Sequence, residues 1–271
     1  MVKLIAIDLD GTLLNSQGRI SQENLAAIRL AENYGIKIVL CTGRPYVSMK
    51  NFVEEIGFSH PEDYIITFNG GQIQKAADGK VIISDTLSCE DVFIWHDEMQ
   101  RLDLPMNLID QEYVYEPLVY PKHYPSLYTN RKIAVPVKKR DFLTFEKQHR
   151  FNKFIIGTDQ NHLETQKKEI QPALLSNYSL TMSFPWLMEV SNLGVDKGSA
   201  VRKLTIELNI NQEETMGIGD QLNDLSLIEY AGIGVAMENA VEEIKKVSDF
   251  ITKSNDEDGV AHAIYHFLGA V

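Results

Sequence analysis

The run Lys3-Leu4-Ile5-Ala6-Ile7 ends abruptly in Asp8-Leu9-Asp10-Gly11-Thr12, and this junction narrows the available folds more than anything else in the chain. A short apolar run bounded by a turn signal reads as a strand buried on both faces, as in a parallel sheet. Such a strand carries its terminal acids to the carboxyl edge of the sheet, where open α/β folds build their sites. Gly11 permits a sharp turn that a Cβ would hinder. Two carboxylates this close repel each other unless a cation or a shared proton intervenes, and all-oxygen ligation suits magnesium. A carboxylate held against magnesium is a poor base, but it can attack phosphorus as a nucleophile. Asp8 is the candidate nucleophile. Asp10 is placed to protonate a leaving oxygen and later to deprotonate water. The plainer alternative is a strand end whose acids cap the next turn; strand, both acids and Gly-Thr together argue against it.

Two later segments repeat the strand-then-site pattern. Ile36 to Cys41 is a second β-rich run, ending in Thr42-Gly43-Arg44-Pro45. The Thr42 hydroxyl and the Gly43 N–H can donate to phosphate oxygens, and Pro45 suits the first turn of a helix. Met216-Gly217-Ile218-Gly219 runs into Asp220-Gln221-Leu222-Asn223-Asp224, and between them Gly194-Val195-Asp196-Lys197-Gly198 opens a helix-like stretch, Ser199 to Leu208.

Strand and helix alternate through the first 84 residues, with helices expected over Ser21 to Gly35 and after Pro45, and a third strand at Tyr64 to Phe68 ending in Asn69-Gly70-Gly71. This predicts a doubly wound, parallel-sheet, Rossmann-like α/β core. From Asp85 the texture changes to α+β. A helix is expected from Ser88 to Met99, then strands at Met106–Asp110, Tyr113–Glu116, Lys132–Val137, Lys153–Gly157 and Tyr178–Phe184. Helical stretches are expected near Asp141–His149 and His162–Leu175, and after Leu187 the alternation returns. The expected domains are therefore a core of 1–84 and 188–271 and an α+β insert of 85–187.

Composition excludes some functions. With 38 acidic against 26 basic residues the chain carries a formal charge of −12, the opposite of the basic footprint that nucleic acid or an anionic membrane requires. Two cysteines, Cys41 and Cys89, give no disulfide framework. No signal peptide or spanning run is evident, so a cytoplasmic protein is expected.

Asp8-Leu9-Asp10-Gly11-Thr12 resembles motif I of the haloacid dehalogenase-like superfamily of phosphohydrolases. Thr42-Gly43-Arg44-Pro45, the Lys197 segment and Asp220-Gln221-Leu222-Asn223-Asp224 resemble motifs II, III and IV, in the right order. With Asn69-Gly70-Gly71 and the late Lys253-Ser254-Asn255-x-x-Asp258-Gly259-Val260-Ala261, nearly the whole chain resembles the Cof-type sugar-phosphate phosphatases. The resemblance implies an aspartyl-phosphate mechanism. Magnesium would be held by Asp8, the Asp10 backbone carbonyl and Asp220, with Asp224 behind the ligands, holding metal waters and Lys197. Leu9, Thr42, Gly43, Lys197 and Asn223 would hold the phosphoryl oxygens, and Arg44 and Asn69 would lie near the leaving group. The insert would be a class II cap, a lid over the core, and the partner a small phosphorylated metabolite; no oligomeric state is implied. The main departures from the family pattern are Asp196 before the lysine and Ser226-Leu227 after motif IV. Asp196 is expected to lower the local positive potential slightly.

Asp10 argues against storage of a phosphoenzyme, since ion-pumping relatives carry threonine there. A phosphomutase remains the rival, and a phosphometabolite-binding regulator is the alternative from another class. Outside the motifs, Arg131, Lys132, Lys138, Lys139 and Arg140 read as a solvated face and Trp95 and Trp186 as packing. The His262/His266 pair lacks a third ligand for a metal.

Overall fold

The computed structural model describes residues 1–130 and 135–269, and the chain divides into two compact units. The first comprises Met1–Arg44, Met49–Ser84 and Asp196–Val271; the second comprises Pro45–Ser48 and Asp85–Val195. In the first, β1 (Leu4–Asp8) is buried along its whole length. It is followed by α1 (Gln22–Asn33), whose Ser21 cap accepts the Asn24 N–H, then by β2 (Lys37–Cys41) and α2 (Lys50–Ile56). Three more strands follow, β3 (Tyr64–Thr67), β4 (Gln72–Lys75) and β5 (Val81–Ser84).

The second unit starts with α3 (Cys89–Arg101), capped reciprocally by Ser88 and Asp91. It continues with β6 (Asn107–Ile109), β7 (Val114–Glu116), β8 (Val137–Lys139), β9 (Lys153–Gly157), α4 (Gln160–Gln166), α5 (Pro172–Asn177), β10 (Tyr178–Phe184) and β11 (Leu187–Asn192). Its strands form a sheet in the order β10-β11-β9-β6-β7-β8. Trp95 and Met99 of α3, Leu163 of α4 and Leu174 of α5 pack with Leu108, Phe154, Ile156 and Met188 of that sheet. Fully burying side chains of this size contributes about 1.5–3 kcal/mol each.

The chain then returns to the first unit through α6 (Lys197–Glu207), β12 (Thr215–Gly219), α7 (Leu225–Tyr230), β13 (Ile233–Ala236), α8 (Glu242–Val247), β14 (Phe250–Ile251) and α9 (Gly259–Leu268). Among the described residues, eight strands form one sheet, ordered β14-β13-β12-β1-β2-β3-β4-β5. β1 lies at its centre, parallel to both β12 and β2. Leu4 and Ala6 of β1 pack with Val201 and Leu204 of α6 and Leu227 of α7, while α1 and α9 pack against each other. The core is α/β with a parallel sheet, closed at one edge by the antiparallel β4 and β5.

Four expectations are corrected. The boundary after residue 187 falls inside the pairing of β11, whose partners β9 and β10 belong to the second unit, so that unit runs on to Val195. The helix over Asp141–His149 is only a turn at Phe142–Thr144. There the Asp141 side chain accepts the Leu143 N–H and the Thr144 hydroxyl donates to the Asp141 carbonyl, which offers the backbone an alternative to helix. The stretch His162–Leu175 is divided between α4 and α5 at Pro172, which pushes Gln171 out of the helical region. The strand expected at Lys132–Val137 begins at Val137 among the described residues; Arg131 and Lys132 lie outside them.

Gly198, in the first turn of α6, marks a close approach of α7. A Cβ there would stand 2.1 Å from the Ser226 carbonyl oxygen, so no side chain fits without moving the backbone. Gly198→Ala should therefore destabilise the protein by about 1–3 kcal/mol, read as a lowered urea midpoint with an unchanged slope.

Candidate active site

Asp8 ends β1 and Asp220 follows β12, its parallel neighbour, so the sheet itself sets the two carboxylates side by side. Asp224 comes one turn later. Asp8, Asp220 and Asp224 are all buried, and each offers an oxygen within 4.8 Å of the others. The Lys197 ammonium, 0% exposed, donates to Asp8 Oδ1 and, at 2.6 Å, to Asp224 Oδ1. The other oxygen of Asp224 accepts the backbone N–H groups of Asp220 and Gln221, each at 3.0 Å. Thr12, also fully buried, donates its hydroxyl to Asp220 Oδ1 at 2.9 Å, and Gln221 Nε2 reaches Asp220 Oδ2 at 3.2 Å.

The electrostatics follow from burial. Desolvation, then the neighbouring Asp224, push the Asp8 carboxyl well above its ordinary range, and Lys197 offsets this only in part. The same two causes raise Asp220 to about 6, against the bonds from Thr12 and Gln221. Burial alone would strip Lys197 of its proton more easily. Asp224 and Asp8 outweigh it, and the ammonium is held more firmly charged than an ordinary lysine. Three carboxylates thus face one ammonium in a closed, all-oxygen cluster. A divalent, hard cation such as magnesium fits that donor set and its unmatched negative charge.

Asp10 stands apart. Its side chain is 56% exposed and forms a bidentate pair with Arg44, whose Nε donates to Oδ2 at 2.8 Å and whose Nη2 donates to Oδ1. Arg44 is positioned by the motif II turn, where its N–H donates to the Thr42 hydroxyl. Thr42 is buried, and its carbonyl accepts the Asn69 N–H at 2.9 Å. Phe68 and Asn69 both adopt left-handed backbone conformations, with φ of 54° and 55°, which side chains other than glycine and asparagine rarely do. This brings the Asn69 amide to Asn223, whose Nδ2 donates to Asn69 Oδ1 at 3.2 Å. Gly43 faces the same amide, since a Cβ there would lie 3.0 Å from Asn69 Oδ1. The structure therefore gathers the sequence-derived residues into three groups. Asp8, Lys197, Asp220 and Asp224 form the first, Asp10 and Arg44 the second, and Thr42, Gly43, Asn69 and Asn223 the third. Leu9 is buried between the two motif I acids, its carbonyl accepting the Leu14 N–H at 2.9 Å.

Both departures from the family pattern have structural employment. Asp196 caps α6, its carboxylate accepting the Ser199 N–H at 2.7 Å. Ser226 Oγ accepts the Gly198 N–H at 3.1 Å. Both hold the helix start that carries Lys197. Thr12 and Gln221 escaped assignment from sequence, although both lie inside motifs; the signal for Thr12 was its place directly after the Asp-x-Asp-Gly turn. Away from the site, burial pushes the Cys41 thiol up, as suits a strand-end core residue. Trp95 is buried in the second unit, and Trp186 stacks on Phe184. His262 and His266 stack on Phe250, and His262 Nδ1 bonds Thr252. Lys138 lies over the Tyr113 ring and Arg140 over Phe145.

Known proteins match this chain along its length. The family model described as haloacid dehalogenase-like hydrolase matches residues 5–264. The YxeH protein of Bacillus subtilis is 35% identical over 99% of each chain. The 5-amino-6-(5-phospho-D-ribitylamino)uracil phosphatase YcsE of Bacillus subtilis is 32% identical, covering 98% of this chain and 96% of its own. The crystal structure of a haloacid dehalogenase-like hydrolase from Bacteroides thetaiotaomicron superposes with a TM-score of 0.83 at 31% identity, over 98% of this chain and 100% of that one. On its sequence, its sheet and these likenesses, the chain belongs to the haloacid dehalogenase-like hydrolase family, in its Cof-type branch.

Proposed function

We propose that this phosphoric monoester hydrolase is a magnesium-dependent phosphatase of small phosphorylated metabolites, sugar and polyol phosphates in particular, acting through an aspartyl-phosphate on Asp8. The observation that carries this reading is the Asp8 carboxylate at the end of β1, held by a fully buried ammonium inside a cluster of acids. Bound magnesium would be held by Asp8, Asp220 and the Asp10 carbonyl, backed by Asp224, and would supply charge neutralisation at the phosphoryl oxygens.

Asp8 attacks phosphorus in line, and the bond to the ester oxygen breaks with its electron pair leaving on that oxygen. Asp10 donates the proton the departing alkoxide needs. It then takes a proton from water, which attacks the same phosphorus and breaks the bond to Asp8, releasing inorganic phosphate. The Leu9 and Gly43 N–H groups, the Thr42 hydroxyl, Lys197 and Asn223 donate to the transferring oxygens. Asp10 is engaged by Arg44 in this structure. Its release for acid catalysis frees the guanidinium for the leaving group, and Asn69 stands beside the same turn. A polyhydroxylated leaving group is supported by YcsE, whose named substrate carries its phosphate on a ribityl chain. Selection among esters is assigned to the unit formed mainly by Asp85–Val195, in the role of substrate lid.

Phosphate release from a panel of small esters tests the reading directly. Release should require magnesium, stop with chelator and be abolished in Asp8→Asn, while Lys197→Met should slow it by about 10²–10³-fold. Exchange of a sugar phosphate for its isomer under a bisphosphate activator, with no net release, would instead make the protein a mutase.

The raised Asp220 carboxyl gives a stability test. Its proton is held more tightly in the folded than in the unfolded chain. The stability it contributes is therefore full below its ordinary 3.8 and is lost as pH rises through about 6. Without metal, Asp220→Asn should exceed the wild type in unfolding free energy at pH 7 by up to about 3 kcal/mol, with the gap closing towards pH 4. Magnesium should stabilise the wild type at pH 7, much less at pH 5, and the variant hardly at all.

A further inference from the structure

The catalytic reading leaves the late Ser254-Asn255-Asp256 segment without a role, yet the structure ties that segment to the motif I turn. The turn closes through the Leu13 N–H on the Asp8 carbonyl and the Leu14 N–H on the Leu9 carbonyl, with Gly11 at φ +84°. Two carbonyls of this turn accept bonds from side chains of later loops. Asn239, in the loop after β13, donates its Nδ2 to the Gly11 carbonyl at 2.8 Å. Asn255, in the loop after β14, donates its Nδ2 to the Leu14 carbonyl at 2.8 Å. The Asn255 N–H donates in turn to Asn239 Oδ1 at 3.0 Å, so the two amides act as one clamp. Asp256 extends the grip, accepting the Ser16 N–H at 2.8 Å, and the Glu238 N–H joins the two loops by donating to the Lys253 carbonyl.

Asp8 needs no such help, because it lies on the central strand and is held by Lys197. Asp10 lies past the strand end, largely exposed, and its side chain is held only by Arg44 among the described residues. What fixes its backbone is the turn that the two asparagines hold at the next residue and four residues on. We infer that Asn239 and Asn255 are positioning residues for Asp10, aiming its carboxyl at the leaving oxygen without touching substrate or metal. This rests on the phosphatase reading above. General acid catalysis demands that aim, since a misplacement near 1 Å can cost about 10²-fold.

The leaving group provides the readout. An alkoxide needs the proton that Asp10 delivers, whereas p-nitrophenolate departs without it. The second-order constant kcat/KM reports only the steps through leaving-group departure. In Asn239→Ala and Asn255→Ala, kcat/KM for glycerol 3-phosphate or ribitol 5-phosphate should fall by about 10–100-fold, and for p-nitrophenyl phosphate by less than about 3-fold. The double variant should lose little more than either single one, because the amides form one unit. Asn239→Asp, which keeps the acceptor for Asn255 but loses the donor to Gly11, should show the same selective loss and guards against a misfolded alanine variant. Equal loss on alkyl and aryl esters, or no loss on either, in variants with wild-type melting would overturn the positioning role alone. A wild-type chain that releases phosphate from neither ester would overturn the phosphatase reading, and this role with it.

Discussion

The Lys197 ammonium, buried between Asp8 and Asp224, is the interaction on which the rest of the first unit is arranged. It stands at the first residue of α6, where the helix dipole disfavours a cation, and it has no access to water. Removing such a charge from water costs several kcal/mol. Only the two carboxylates make the position tenable, and they in turn depend on it. The surrounding sequence serves this geometry. Asp196 caps the helix start, Gly198 lets α7 approach within van der Waals distance, and Ser226 receives the N–H that Gly198 exposes.

The two motif I acids live under opposite conditions although one residue separates them. Asp8 is enclosed by strand, ammonium and neighbouring acids, whereas Asp10 emerges into solvent and is held through its turn and through Arg44. In the mechanism proposed above, enclosure suits a nucleophile that must not wander. Exposure suits a group that must meet leaving groups of differing shape and pass protons to and from water. Under that mechanism environment, rather than residue type, divides the labour between them.

Most of the parallel core was legible because its strands are short apolar runs ending in polar, glycine-bearing turns. β1, β2 and β3 were read from such runs, and the residues at their ends are those the structure brings together. What escaped depends on strand pairing, on local side-chain bonds or on partners far along the chain. β11 reads like core sequence, and only its pairing with β9 and β10 assigns it to the second unit. Phe142 and Phe145 have helical spacing, yet local bonds from Asp141 and Thr144 prevent a helix. Pairing of Arg44 with Asp10 joins residues 34 apart in sequence, and the Asn255 bond to Leu14 joins residues 241 apart. No periodicity encodes contacts of that range.

The central place of β1 has a consequence for how the protein is made. Leu4 pairs with Thr215, so the strand that fills one side of β1 is synthesised more than 200 residues later. At about 5–20 residues per second, the ribosome leaves that side open for roughly 10–40 s. An apolar strand with an unpaired edge is a template for association with other chains. The second unit is nearly contiguous in sequence and can fold within this interval, whereas the first must wait for its second half. A nascent chain of this protein therefore carries an apolar strand with one edge unpaired for most of its synthesis.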